Sequence, residues 1–196
     1  MPNWCENRAT ITAPTVEMAE KLANAYNAGA LFEGLVPTPK EVLSNESIPV
    51  KNADDSISVY NVLHDSEYSW RLNNWGTKWD VGVDSEDDDR AEVDGCAVTL
   101  YFDSAWSPPI AFYQAIEALG YVVDASYNES GMAFCGIYAD GEEHEFTYPS
   151  GATCSADFAS HLPAQIMDEY SFDWLDESDD EDSITSTPSM LLAQED

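Results

Sequence analysis

Hydrophobic and polar positions alternate most regularly in two stretches. From Trp4 to Thr12, the polar Arg8, Thr10 and Thr12 alternate with Ala9 and Ile11. From Ala97 to Trp106, Val98, Leu100 and Phe102 fall on one side. Both patterns predict strands with one buried face. Between them the period first lengthens: Ala19, Leu22, Ala23 and Tyr26 recur at i, i+3, i+4 and i+7, with Thr15 as N-cap and Gly29 as stop. That spacing predicts an amphipathic helix. Leu31 to Val50 holds Pro37, Pro39 and Pro49 and reads as a loop-rich connection. Ile57 to Leu72, with Val59, Tyr60, Val62, Leu63, Tyr68, Trp70 and Leu72, reads as helix, so that about residues 31–73 form an insertion packed on the main sheet. Trp79, Val81 and Val83 alternate as a short strand leading into an acidic turn.

Ser107-Pro108-Pro109 predicts a helix start, a cap residue followed by Pro in the first turn, with Phe112, Ala115, Ile116 and Leu119 as its buried stripe and Gly120 as its end. Tyr121–Tyr127 reads as a strand, 128–131 as a turn and Met132–Ala139 as another strand. Asp140-Gly141 is a hairpin signal, returning through His144, Phe146 and Tyr148. The order strand, helix, strand, strand, helix, strand is the split βαβ arrangement of ferredoxin-like α+β domains, here over residues 1–150 with an extra C-terminal hairpin. Residues 151–177 are expected to be a helical extension, with Ile166, Met167 and Tyr170 on one side of a helix from Pro163 to Tyr170. Residues 178–196 are expected to be a disordered acidic tail.

Composition supports a core, with 44% apolar and 12% aromatic residues. The most apolar run, Ala97–Phe102, is too short to span a bilayer, and the first residues lack the basic and apolar regions of a signal peptide. Cys5, Cys96, Cys135 and Cys154 are widely spaced and are expected to be reduced and buried. Charge changes the picture more. The chain has 38 acidic and 7 basic residues, a net charge of −31, and no Lys or Arg beyond Arg90. A globule of this length is about 45 Å across, from a radius of gyration of roughly 16 Å. The same length of duplex DNA carries roughly 26 charges. Such a surface repels phosphate, excludes direct nucleic-acid binding and favours basic partners. A surface adapted to high salt is the bland alternative.

Several motifs resemble the YubB-type ferredoxin-like family of phage and plasmid proteins. They are Pro2-Asn3-Trp4-Cys5-x-Asn7, Pro37-Thr38-Pro39, Asn74-Trp75-Gly76-Thr77-Lys78-Trp79-Asp80, Ala105-Trp106-Ser107-Pro108-Pro109 and Tyr127-x-Glu129-x-Gly131, spanning roughly residues 2–140. The resemblance implies a ferredoxin-like fold, a mobile-element origin and hence the host cytoplasm. It implies no activity, and the acidic turn and tail lie outside its pattern.

Candidate chemistry is sparse. In the split βαβ topology Trp75, Lys78 and Asp80 approach Asp103, Ser104 and Trp106, which suggests a small-ligand pocket with Lys78 as cation and indole walls. Structural Trp packing is the alternative, with Trp75 and Trp106 buried against each other. His64, His144 and His161 sit in no nucleophile–base motif, and His and Cys lack zinc spacing, so neither enzyme activity nor a cofactor or metal is expected. The expected function is non-enzymatic binding of a basic host protein surface, as a DNA mimic that inhibits a defence or DNA-binding protein. Two acidic clusters are the candidate contact residues: Asp84, Glu86, Asp87, Asp88, Asp89, Glu92 and Asp94, then Asp140, Glu142, Glu143 and Glu145, expected at opposite ends of the sheet.

Overall fold

A computed structural model describes residues 3–43, 48–51, 57–60, 62–83 and 90–172, the backbone alone at 41 and over the described part of 43–66. The chain divides into two compact units, Met1–Thr147 and Tyr148–Asp196.

In the first unit, strand β1 (Trp4–Thr12) buries Cys5, Asn7, Ala9 and Ile11 and turns Trp4, Glu6, Arg8, Thr10 and Thr12 outward. Helix α1 (Val16–Asn27) starts where the Thr15 hydroxyl accepts a hydrogen bond from the Met18 N–H at 3.3 Å, and it buries Ala19, Leu22, Ala23 and Tyr26. There follow α2 (Leu31–Leu35), α3 (Lys40–Leu43), β2 (Ile48–Lys51), β3 (Ile57–Tyr60) and α4 (Val62–Asn74). Then come β4 (Glu92–Asp94), β5 (Ala97–Ala105), α5 (Ile110–Glu117), β6 (Val122–Glu129), β7 (Phe134–Ala139) and β8 (Glu142–Thr147). The main sheet has the order β4-β5-β1-β6-β7-β8 with every neighbouring pair antiparallel, while β2 and β3 form a separate antiparallel pair. The fold is mixed α+β. Ala9, Ile11, Val98, Leu100 and Val123 from one sheet face share a core with Leu22, Tyr26, Phe32, Trp75, Phe112 and Ile116.

The second unit builds α6 (Ser155–Ala159) and α7 (Ala164–Glu169), and Phe158 stacks on Phe172 with ring centroids 4.7 Å apart. Ile166 and Tyr170 are buried there, and Met167 is only partly so. Residues 173–196, including the expected tail, lie outside the described residues.

Several sequence expectations need correction. Residues 31–35 are not loop but helix, with Leu31 and Phe32 fully buried; five residues are too few for a helical period to register. Ile57–Tyr60 is a strand, and helix begins only at Val62. Residues 79–83 form no strand, because their backbone bonds go to helix ends: Leu31 N–H donates to the Val81 carbonyl at 3.0 Å and Val83 N–H to that of Tyr26 at 3.1 Å. The strand preceding β5 is therefore the three-residue β4. Asn128 and Glu129 belong to β6 rather than to a turn. Ser107 does not cap α5; Pro109 holds that position, and the Ser107 hydroxyl donates to the Gly76 carbonyl at 2.9 Å. Leu119 is 54% exposed and outside the stripe, which instead contains Tyr113.

Candidate functional site

The Asn74–Asp80 motif is a clasp between distant elements. Trp75 is fully buried, its indole N–H donates to the Val36 carbonyl at 2.9 Å, and its ring packs on Phe32 (5.5 Å) and Trp70 (5.8 Å). Gly76 has φ 86°, and a side chain there would press on the backbone of Pro108, Ile110 and Ala111 at 3.1–3.3 Å. Only glycine takes this turn without cost. The Thr77 hydroxyl donates to the Ala105 carbonyl at 3.0 Å. Asp80 serves as a remote cap for α2: Oδ1 accepts from Phe32 N–H at 2.7 Å and from its neighbour Val81 at 2.8 Å, and Oδ2 accepts from Glu33 N–H at 2.9 Å. Ala30 precedes that helix and has no side-chain oxygen to offer, so the carboxylate supplies what a local cap would. Burial raises the Asp80 carboxyl above its ordinary range, opposed by these three backbone donors.

The expected pocket therefore does not assemble as a set. Trp75 and Asp80 are committed to the clasp. Ser104 is buried, accepting from Asn7 Nδ2 at 2.9 Å and donating to the Ser107 carbonyl at 2.7 Å. Trp106 is 44% exposed rather than packed on Trp75, since its φ of 74° swings the chain out of β5. Asp103 lies on the outward sheet face opposite Glu6. Partial burial raises both carboxyls; for Glu6 the Asp103 charge adds to this and Arg8 opposes it. Lys78 instead lines a cleft whose other described lining residues are Glu67, Tyr68, Arg71 and Trp79. Those four were missed, although the Glu67–Arg71 spacing of four on a helix was a usable signal.

The remaining motifs are also structural. Glu129 is buried and binds the turn after β6, accepting from Gly131 N–H at 3.2 Å and Met132 N–H at 2.6 Å. Tyr127 packs where a side chain at Gly136 would collide with its ring and hydroxyl, and that hydroxyl donates to Glu143 at 2.7 Å. Cys5 and Cys135 are buried, and burial followed by the Glu145 charge pushes the Cys135 thiol up to about 11. Contrary to expectation, Cys96 and Cys154 are partly exposed.

Glu92 and Asp94 are exposed on the edge strand β4, and Asp140, Glu142, Glu143 and Glu145 are exposed on the opposite edge at β8 and its turn. Asp84, Glu86, Asp87, Asp88 and Asp89 lie outside the described residues. The two tips, Gly95-Cys96 and Asp140-Gly141, are not at opposite ends of the sheet. Thr12 pairs with both Ala97 and Val122, and Ala125 pairs with Tyr138, so both tips lie beyond the Thr12 end of β1. β5 and β8 stand an even number of places apart and so run parallel. Among the described residues no three His, Cys, Asp or Glu side chains are grouped to hold a metal ion, and no helix is long and apolar enough to cross a membrane. Comparison with family models, with curated proteins and with solved structures finds no match for this chain.

Proposed function

We propose that the protein is a non-enzymatic, acidic ferredoxin-like domain of the YubB-type kind, acting in a host cytoplasm on a basic, DNA-binding host protein as a mimic of DNA. The ferredoxin-like assignment is supported by the run β1-α1-β4-β5-α5-β6 with spatial order β4-β5-β1-β6, the split βαβ pattern. The observation that carries the function is the charge on the two sheet edges. Glu92 and Asp94 stand on one edge strand and Glu142, Glu143 and Glu145 on the other, in a chain with no Lys or Arg after Arg90. Five inter-strand steps of about 4.8 Å separate these edges by roughly 24 Å, about the width of a duplex. Two parallel rows of carboxylates then offer a basic groove the spacing of two phosphate backbones.

The test is capture from host lysate on the immobilised protein at moderate and high salt. The expected partner is a DNA-binding protein that salt releases and that duplex DNA displaces. The variant Glu92→Gln, Asp94→Asn, Glu142→Gln, Glu143→Gln, Glu145→Gln should capture far less of it. A partner that stays bound under saturating duplex, or that binds the variant equally well, refutes mimicry by these edges.

A further inference from the structure

The end of α4 and the loop after it form a cleft of about 360 Å³, lined among the described residues by Glu67, Tyr68, Arg71, Lys78 and Trp79. That volume is within the range of small-molecule sites. Among the described residues its lining reverses the sign of the molecule, with two of the seven basic residues against one acid. The two cations have different jobs. Arg71 is held in place: it pairs with Glu67 Oε1 at 2.6 Å, lies 5.0 Å over the Trp75 ring and donates to the Lys78 carbonyl at 3.4 Å. Lys78 is the one left to act. Its ammonium sits 3.9 Å over the Trp79 ring, and among the described residues no carboxylate comes within ion-pair range of it. Trp79 and Tyr68 stay 44% and 48% exposed, and Trp4 braces Trp79 with ring centroids 5.9 Å apart.

We propose that this cleft binds a planar aromatic monoanion, its ring against Tyr68 and the part of Trp79 left exposed beside Lys78 and Trp4, and its acid group on the Lys78 ammonium. Flat aromatic walls at the mouth select a flat apolar body. An ammonium with no carboxylate in ion-pair range among the described residues selects one negative charge. The field of a −31 protein disfavours anything more highly charged. The site is independent of the acidic edges and goes beyond the mimicry reading.

Calorimetric titration with naphthalene-2-carboxylate, its neutral carboxamide and 2-naphthyl phosphate tests it. Saturable binding of the carboxylate is expected, with the carboxamide weaker by about tenfold or more, the scale of one charge-assisted hydrogen bond. The phosphate, a dianion near neutral pH, should bind more weakly than the carboxylate in dilute buffer and approach it as salt is added. Lys78→Met should weaken carboxylate binding by about tenfold and Lys78→Arg much less. Tyr68→Ala, at an exposed position, serves as a second variant and should also weaken it. Absence of saturable carboxylate binding, equal binding of the carboxamide, tighter phosphate binding in dilute buffer, or unchanged affinity in both Lys78→Met and Tyr68→Ala overturns the proposal.

Discussion

Glu6 and Asp103 face each other across the β1–β5 ladder, two carboxylates on one sheet surface, with Arg8 two positions along. Like charges directly opposite destabilise a sheet. Because both folded-state values are raised, the folded protein holds protons here that the unfolded chain has released. The stability this contributes is complete below the ordinary carboxylate range and is lost as pH rises through the raised values. Glu6→Gln should therefore be more stable than the parent at neutral pH, by about 0.2–1 kcal/mol. The gap should close as pH falls below the ordinary carboxylate range. Urea unfolding at the two pH values checks this, and a variant less stable at neutral pH contradicts it. At this scale the sequence was readable where periodicity ruled, as at Ala19, Leu22, Ala23 and Tyr26. It was not readable at Trp106. A left-handed backbone is rare for a bulky residue, and nothing in the local pattern announced it.

Among the elements, the long strands and α1 were legible because many residues vote for one period. α2 and β4 were not, having five and three residues. The alternation of Trp79, Val81 and Val83 misled for a different reason: the backbone hydrogen bonds of this stretch close the ends of α1 and α2 instead of joining a sheet. The candidate site shared this fate, since the clasp that holds Trp75 and Asp80 joins segments 28 to 48 positions apart. Asp80→Ala should destabilise the protein by about 1–2 kcal/mol, as for loss of a helix cap. Asp80→Asn, which keeps one acceptor oxygen, should cost less. Chemical denaturation ranks the three proteins, and equal stability of Asp80→Ala and the parent would mean that the clasp does not hold α2.

For the whole molecule, the rivals are a charge shaped for a partner and a charge suited only to brine. Acids on both edge strands also keep sheet edges from pairing with other chains, so edge placement alone does not separate them. Ionic strength does. At 0.01 M salt repulsion reaches about 30 Å, against about 8 Å at physiological strength. A mimic from an ordinary host should keep its near-ultraviolet circular dichroism in dilute buffer and gain only modestly in melting temperature with salt. Unfolding on dilution would support the salt-adapted alternative.

The shared end of the two hairpin tips has one more consequence. Strand β1 runs from Trp4, beside Trp79, to Thr12, at the end of the sheet that holds both tips. Eight rises of about 3.4 Å put these ends roughly 27 Å apart. That exceeds the range of unscreened charge at physiological salt and falls within it in dilute buffer. If both proposals hold, the protein hosts two tenants at once, a macromolecule along the acidic edges and a small anion at the Trp4 end. Each should be indifferent to the other's presence in the cell, and the two should become thermodynamically linked only when the salt is taken away.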